Sequence, residues 1–277
     1  MQPDGRPKDH RFIDAHVHIQ DPSGYAAVTS AGVAAIRDAG AKGRALNGIE
    51  RPHAGSPVVV TSGWAIFSKG GYGSRFGRPV TNRAEIISEI LALKHAGADI
   101  IKVMASGLVS LKKSGTVTAG GFSRDELAFI VETAGGLKLR VMAHANGEEA
   151  IIAAADTGVL SIEHGFFMTE RALDFLIAKR IYWTPTVGAL KRALKSGDVS
   201  PEAEQFLTGL IQSHLAMMRK AHALGVPLAV GTDCVLPGPD YKAAYDAELA
   251  CFTQAGIAPD DVMRIACEGG AGLLGLK

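Results

Sequence analysis

Eight short apolar runs, each followed by a stretch with helical spacing, constrain this chain more than any other feature. They are FIDAHVHI (12–19), VAAIRDAG (33–40), PVVVTSG (57–63), DIIKVMASG (99–107), LRVMAHA (139–145), LSIEHG (160–165), IYWTPTV (181–187) and VPLAVGTD (226–233). Several are near-continuous hydrophobic runs, as parallel strands covered on both faces must be. Helix starts are legible between them. Thr81 precedes a stretch with Ile86, Ile90 and Leu93 on one face. Ser123 and Glu126 have the spacing of a capping box. Ser200 precedes Pro201, which opens a helix running to about 224 with proline at its first position. Further helices are expected at 147–157, 169–179, 240–255 and 259–268. The alternation predicts an α/β fold, a (β/α)8 TIM barrel forming a single domain over 11–277, with 1–10 as an N-terminal tail. The 277 residues suit such a barrel, which takes about 250. The long connections 64–80 and 105–122 follow strands three and four. They belong to the face where barrels carry their chemistry.

Composition removes several function classes. A net charge of +1 provides no basic field for nucleic acid. No run approaches the ~20 apolar residues of a membrane helix. The polar start MQPDGRPKDH has no apolar core of a secretory signal. Three cysteines, an odd number without C-x-x-C spacing, indicate reduced thiols and a cytoplasmic protein. Neither a G-x-G-x-x-G after the first strand nor a G-x-x-x-x-G-K-[ST] is present, and GGYGSRFG lacks the lysine. The expected partner is a small-molecule substrate, with no nucleic acid and no membrane.

The first strand is the anomaly. Side chains alternate with period two, so Asp14, His16 and His18 are expected on one face and Ile13, Ala15, Val17 and Ile19 on the other. Ionisable groups inside a barrel are costly without partners. A metal ion is one partner that accepts both neutral imidazole and carboxylate; a chance H-x-H on an edge strand is the bland alternative. The other strand ends decide between them. His144 ends strand five, His164 strand six and Asp233 strand eight. Singly, either histidine would read as a satisfied core residue. Convergence of four histidines and an aspartate on one rim is hard to obtain from packing alone. Lys102 interrupts strand four, on the face of Ile100 and Met104. Its stem could be buried with the ammonium reaching water. Alternatively, burial lowers its pKa, and the neutral amine reacts with carbon dioxide to give a carbamate able to bridge two metals.

The ordered set DAHVH, IKVMASG, MAHANG, IEHG and VGTD resembles the amidohydrolase superfamily of metal-dependent hydrolases. The nearest likeness is to the imidazolonepropionase-like and prolidase-like branch with a carboxylated lysine. VAAIRDAG, YWTPT and AGIAPDDVMRIACEGGAGLLGL extend the likeness over nearly the whole chain. The resemblance implies a binuclear metal-dependent hydrolase cleaving an amide, cyclic amide or related C–N bond. It implies two divalent ions, Zn2+ first, with Mn2+ or Fe2+ as alternatives. His16, His18 and Asp233 would hold one ion, and His144 and His164 the other. A carbamate on Lys102 and a water or hydroxide would bridge them. Asp233 would also carry the proton. Asp14 would stand behind the ligands, orienting one of them or a backbone group. Two departures stand out. Members usually carry a β-sandwich built from both termini, for which no sequence is seen here; the surface it would cover is expected to be polar or buried in a homo-oligomer. Tyr72 stands where related enzymes often have histidine. Trp64, Tyr72 and Arg75 are the candidate substrate contacts. Lys69, Arg75, Arg78, Lys112 and Lys113 in the long loops would favour a carboxylate-bearing substrate, unless they are merely solvated. The rivals are a lactonase or phosphotriesterase-like esterase on the same cage, a mononuclear deaminase, which Lys102 disfavours, and a catalytically inactive metal-binding barrel.

Overall fold

In the computed structural model the described residues are 11–43, 56–111, 113–195, 199–238 and 240–276. The tail 1–10 and Lys112 lie outside them. The expected apolar runs form β1 (Phe12–Ile19), β2 (Val33–Asp38), β3 (Val58–Thr61), β6 (Ile100–Met104), β7 (Arg140–Ala145), β8 (Ser161–His164) and β9 (Tyr182–Thr184). Every strand pairing is parallel, in the orders β10-β1-β2-β3 and β5-β4-β6-β7-β8-β9. The first seam between these sheets is made by Asp99, whose N–H donates to the carbonyl of Thr61.

Three strand expectations need correction. The third strand comes in two pieces: after β3 the chain jogs at Gly63 (φ +69), then resumes as β4 (Ala65–Ser68), which pairs with β6. An additional strand, β5 (Gly77–Val80), edges the second sheet. It approaches β4 so closely that a Cβ at Gly77 would collide with the carbonyl of Ala65. The eighth run, 226–233, has no continuous ladder. Pro227 lacks an N–H, and Asp233 is left-handed (φ +54). The run still closes the barrel. Trp183 donates to Pro227 O and Ala229 to Trp183 O, while Ala15 donates to Val230 O and Asp233 to His16 O. Regular pairing with β1 begins only at β10 (Cys234–Leu236).

The helices are α1 (Gly24–Ser30), α2 (Arg83–Ala96), α3 (Arg124–Gly136), α4 (Glu148–Asp156), α5 (Glu170–Lys179), α6 (Val187–Lys195), α7 (Pro201–Ala223), α8 (Tyr241–Gln254), α9 (Pro259–Arg264) and α10 (Gly270–Leu274). Both arms of the Ser123–Glu126 capping box form, and Ser200 caps α7 ahead of Pro201. Asn82, not Thr81, caps α2; the Thr81 hydroxyl donates to Glu85 instead. The single helix expected over 259–268 is broken by a π-turn at Ile265–Gly269. Helices α1, α6 and α10 were not anticipated; α1 is only seven residues long and α10 five.

Alternation along β6 sorts the barrel into two layers. Ile101 and Val103 face the helices, within the main core that also holds Ile36, Ile66, Ile90 and Trp183. Ile100 packs with Met142 inside the barrel, below the buried polar groups Arg37, Lys102, Ser161 and Glu163. Among the described residues no helix is long and apolar enough to cross a membrane. Cys234, Cys251 and Cys267 are buried free thiols.

Candidate metal centre

The C-terminal half of β1 delivers two imidazoles, each with one nitrogen already committed. His16 Nδ1 lies 2.6 Å from Glu163 Oε2, and His18 Nδ1 donates to Gly40 O at 2.6 Å. Their Nε2 atoms are both 3.5 Å from Asp233 Oδ1. His164 Nδ1 sits 4.0 Å from Asp233 Oδ2 and 2.7 Å from Thr186 Oγ1. The His144 ring is 4.6 Å from that of His164, and its Nε2 donates to Gly107 O at 3.0 Å. One potential ligand atom each from His16, His164 and Asp233 lies within 4.8 Å of the others. His164 (φ +66) and Asp233 (φ +54) adopt left-handed backbone, which costs a non-glycine residue roughly 1–2 kcal/mol.

Asp14 is not beside the two histidines. The register of β1 on β2 slips between Asp14 and Val17, and the period-two expectation fails there. The carboxylate accepts instead from Tyr241 Oη of α8 (2.9 Å), Thr232 Oγ1 (2.7 Å), Thr232 N (3.0 Å) and His16 N (3.1 Å). It ties the backbone of His16 to the segment that carries Asp233. Arg192 Nη2 braces that segment from α6, donating to Thr232 O and Asp233 O.

Electrostatics prepare the histidines to act as ligands. Burial, reinforced by Lys102, lowers His16 to about 4 and His144 to about 3; burial also holds His164 well below its usual value. These three imidazoles are therefore neutral at pH 7, the form that binds metal. Burial pushes Lys102 down to about 8, against the pull of Glu163 and Asp233. Burial alone would raise the Asp233 carboxyl, but His18, His164 and His16 hold it well below the carboxylate range. Four buried side-chain atoms have no hydrogen-bond partner among the described residues, and two of them, Lys102 Nζ and His16 Nε2, belong to this centre; the others are Ser62 Oγ and His214 Nδ1. Orphaned donors and acceptors of this kind call for an unseen partner. Neutral imidazoles, a carboxylate and an uncommitted amine are a donor set that suits a divalent metal.

Sequence reasoning missed the layer beneath. Glu163 is wholly buried and receives His16 Nδ1, Ser161 Oγ (2.5 Å) and Arg37 Nη2 (2.8 Å). Period two sends Glu163 away from His164, but the left-handed turn at His164 lets both reach the interior. Arg37, a cation inside the apolar run VAAIRDAG, gave the same signal as Lys102 and went unread.

The substrate candidates separate. Trp64 is buried away from the cleft: its Nε1 donates to Glu89 on α2, and Arg78 lies 4.1 Å over its ring. Arg75 is exposed, 5.9 Å from the ring of Phe76, which stacks on His18 at 4.0 Å. Tyr72 does border the cleft, 5.0 Å from His144. This cleft, about 190 Å³, has His144, His164 and Asp233 in its lining.

Fold and site together define a (β/α)8 barrel with a histidine- and carboxylate-bearing centre at the C-terminal ends of its strands. The chain belongs to the amidohydrolase family, whose model matches residues 12–277. It is 28% identical over 237 residues to an ochratoxinase of Aspergillus niger, a match covering 76% of this chain. The chain spans about half the length of that curated relative (48%). Among solved structures, the A. niger ochratoxinase superposes with a TM-score of 0.80 at 22% identity, covering 96% of this chain and 71% of that one. A Xaa-Pro dipeptidase with bound methionine in its active site gives 0.77 at 22% identity, covering 96% and 75%. These structural likenesses bear on the fold.

Proposed function

We propose that the chain is a metal-dependent hydrolase that cleaves an amide or cyclic amide bond of a small substrate. The observation that carries this reading is the pair of orphaned buried atoms, His16 Nε2 and Lys102 Nζ, beside Asp233 at the rim of the barrel. Family membership and the ochratoxinase relative support the same reaction class. His16, His18 and Asp233 would hold one ion, and His144 and His164 a second. A carbamate on Lys102 would lie between them. A pKa near 8 leaves enough neutral amine for reaction with carbon dioxide. A bound divalent metal, Zn2+ by its donor set, would polarise the scissile carbonyl and bring the pKa of a water to about 7. Asp233 would take the proton given up by the attacking water and deliver it to the leaving nitrogen. Glu163 would fix His16 with Nε2 free, as carboxylates behind histidine ligands do. The buried free thiols fit a reducing, cytoplasmic setting.

The test is metal analysis with turnover of amides, lactones and aryl phosphotriesters by the loaded enzyme. The expected outcome is two ions per chain with amides preferred. Asp233→Asn should lose at least about 100-fold in kcat while its circular dichroism is unchanged. Fewer than one ion per chain after growth in zinc or manganese would instead identify an inactive barrel.

A further inference from the structure

The wall of the cleft differs from its floor. It is formed by the segment after β6 and by α6. The segment is a pinned hairpin: Thr118 N–H donates to Leu108 O at 2.7 Å, Leu108 N–H to Thr118 Oγ1 at 2.9 Å, and Ser110 N–H to Thr116 O at 2.9 Å. Val109 and Val117 form an antiparallel bridge. A Cβ at Gly107 would collide with Thr118, so the glycine permits the hairpin to lie against its own base. Pinned in this way, the hairpin presents Leu108 and Leu111 to the cleft, each still 43% exposed. Across from them α6 contributes Ala189, Leu190 and Ala193. The alanines leave room that larger side chains would fill.

Charge is arranged to match. Among the described residues the cleft lining contains no lysine or arginine. On α6, Lys191 is engaged with Gln254 and Arg192 with the carbonyls of Thr232 and Asp233. Arg75 and Arg78 lie against Phe76 and Trp64. A substrate carboxylate placed against this wall would meet no described lysine or arginine. An uncharged apolar group would cover two large leucines that water now reaches.

We infer that this wall is a subsite for an uncharged apolar acyl group, aliphatic or aromatic, flanking the scissile amide. Leu108, Leu111 and Leu190 determine specificity. The inference rests on the amide-hydrolase reading and sets its substrate class against the carboxylate-bearing substrate that the loop cations had suggested.

The test uses zinc-loaded enzyme and three anilides: acetanilide, hexananilide and succinanilic acid, the last carrying a carboxylate. Hexananilide should show kcat/KM at least about tenfold above acetanilide, mostly through KM. Succinanilic acid should fall below both. Leu108→Asp and Leu111→Asp should each remove most of the hexananilide advantage. Both positions are partly exposed, and circular dichroism checks the fold. Leu224→Asp, at an equally exposed site on α7's C-terminus, should leave the ratio as it is. Succinanilic acid processed as well as hexananilide, or an unchanged ratio in both leucine variants, overturns the inference. If no anilide is cleaved, the hydrolase reading fails separately. Calorimetric binding of the same uncleaved anilides then decides the subsite by the same order of affinities.

Discussion

Lys102 and Arg37 are both cations inside the barrel, and the structure treats them oppositely. Arg37 is saturated: Nε donates to Ala15 O, Nη1 to Ser161 and Nη2 to Glu163. Lys102 Nζ has no hydrogen-bond partner among the described residues. A saturated cation is satisfied by its neighbours, whereas a buried unsatisfied one calls for an explanation. Arg37→Met would leave Glu163 buried without its counter-charge. The expected loss is about 3–5 kcal/mol, read from urea unfolding. Lys102→Ala should lose turnover yet regain part of it with acetate or propionate, whose carboxylate can occupy the vacated space; absence of rescue at any concentration would argue against the carbamate. At this scale the sequence identified residue types better than directions. His16, His18, His144, His164 and Asp233 were expected to converge because each lies toward the C-terminal end of an apolar run, and ligand-type atoms of His16, His164 and Asp233 do approach one another. Asp14 left the expected face of β1 because a register slip is invisible to a period-two count, although its expected place behind the histidines, orienting a backbone group, matches its bonds from His16 N and Thr232 N. Glu163 was missed because a left-handed φ at the next residue carries no sequence signature when that residue is histidine.

The elements show where periodicity works and where tertiary closeness takes over. Uninterrupted apolar runs located β1, β2, β7 and β8 within a residue or two and β6 within three. The break between β3 and β4 and the irregular closing segment depend on neighbours distant in sequence. Gly231 is an example. A Cβ there would press on Thr184 Cγ2 and His16 Cβ, so Gly231→Ala should cost about 1–3 kcal/mol by overpacking. It should also weaken zinc binding, measured by competition with a chromogenic chelator. The start of α6 carries a different signature. Glu248, wholly buried, accepts from Val187 N (3.0 Å) and Gly188 N (2.5 Å). Burial nevertheless pushes its carboxyl from 4.5 up to about 7, against those two bonds and Arg192. The folded state therefore holds a proton that the unfolded chain releases between pH 4.5 and 7. This contribution is full below pH 4.5 and falls by roughly 3 kcal/mol as pH rises to 7. Glu248→Gln should flatten the difference in urea stability between pH 5 and pH 7.5 relative to the parent protein. An unaltered difference would assign the slope elsewhere.

At the scale of the whole molecule, the barrel and its centre depend on each other. The strand–helix alternation sufficed for the architecture because eight repeats leave few ways to bury both faces of a parallel sheet. Ions that bind only the folded barrel must stabilise it. Zinc at 100 times its dissociation constant should add about 2.7 kcal/mol per site, and chelation should lower the thermal midpoint. A midpoint indifferent to both would count against any ion in the centre.

Barrel closure also sets a schedule. Thr232, which donates to the Asp14 carboxylate, lies 218 residues downstream of it. At about 5–20 residues per second of synthesis, β1 waits roughly 10–40 s for that partner. During that interval His16 and His18 are already made, but Asp233 is not. The nascent chain can offer imidazoles to a passing ion, yet it cannot offer the complete set. If the centre holds an ion as proposed, its correct loading is an event of the closed barrel, after the ribosome has delivered its last strand.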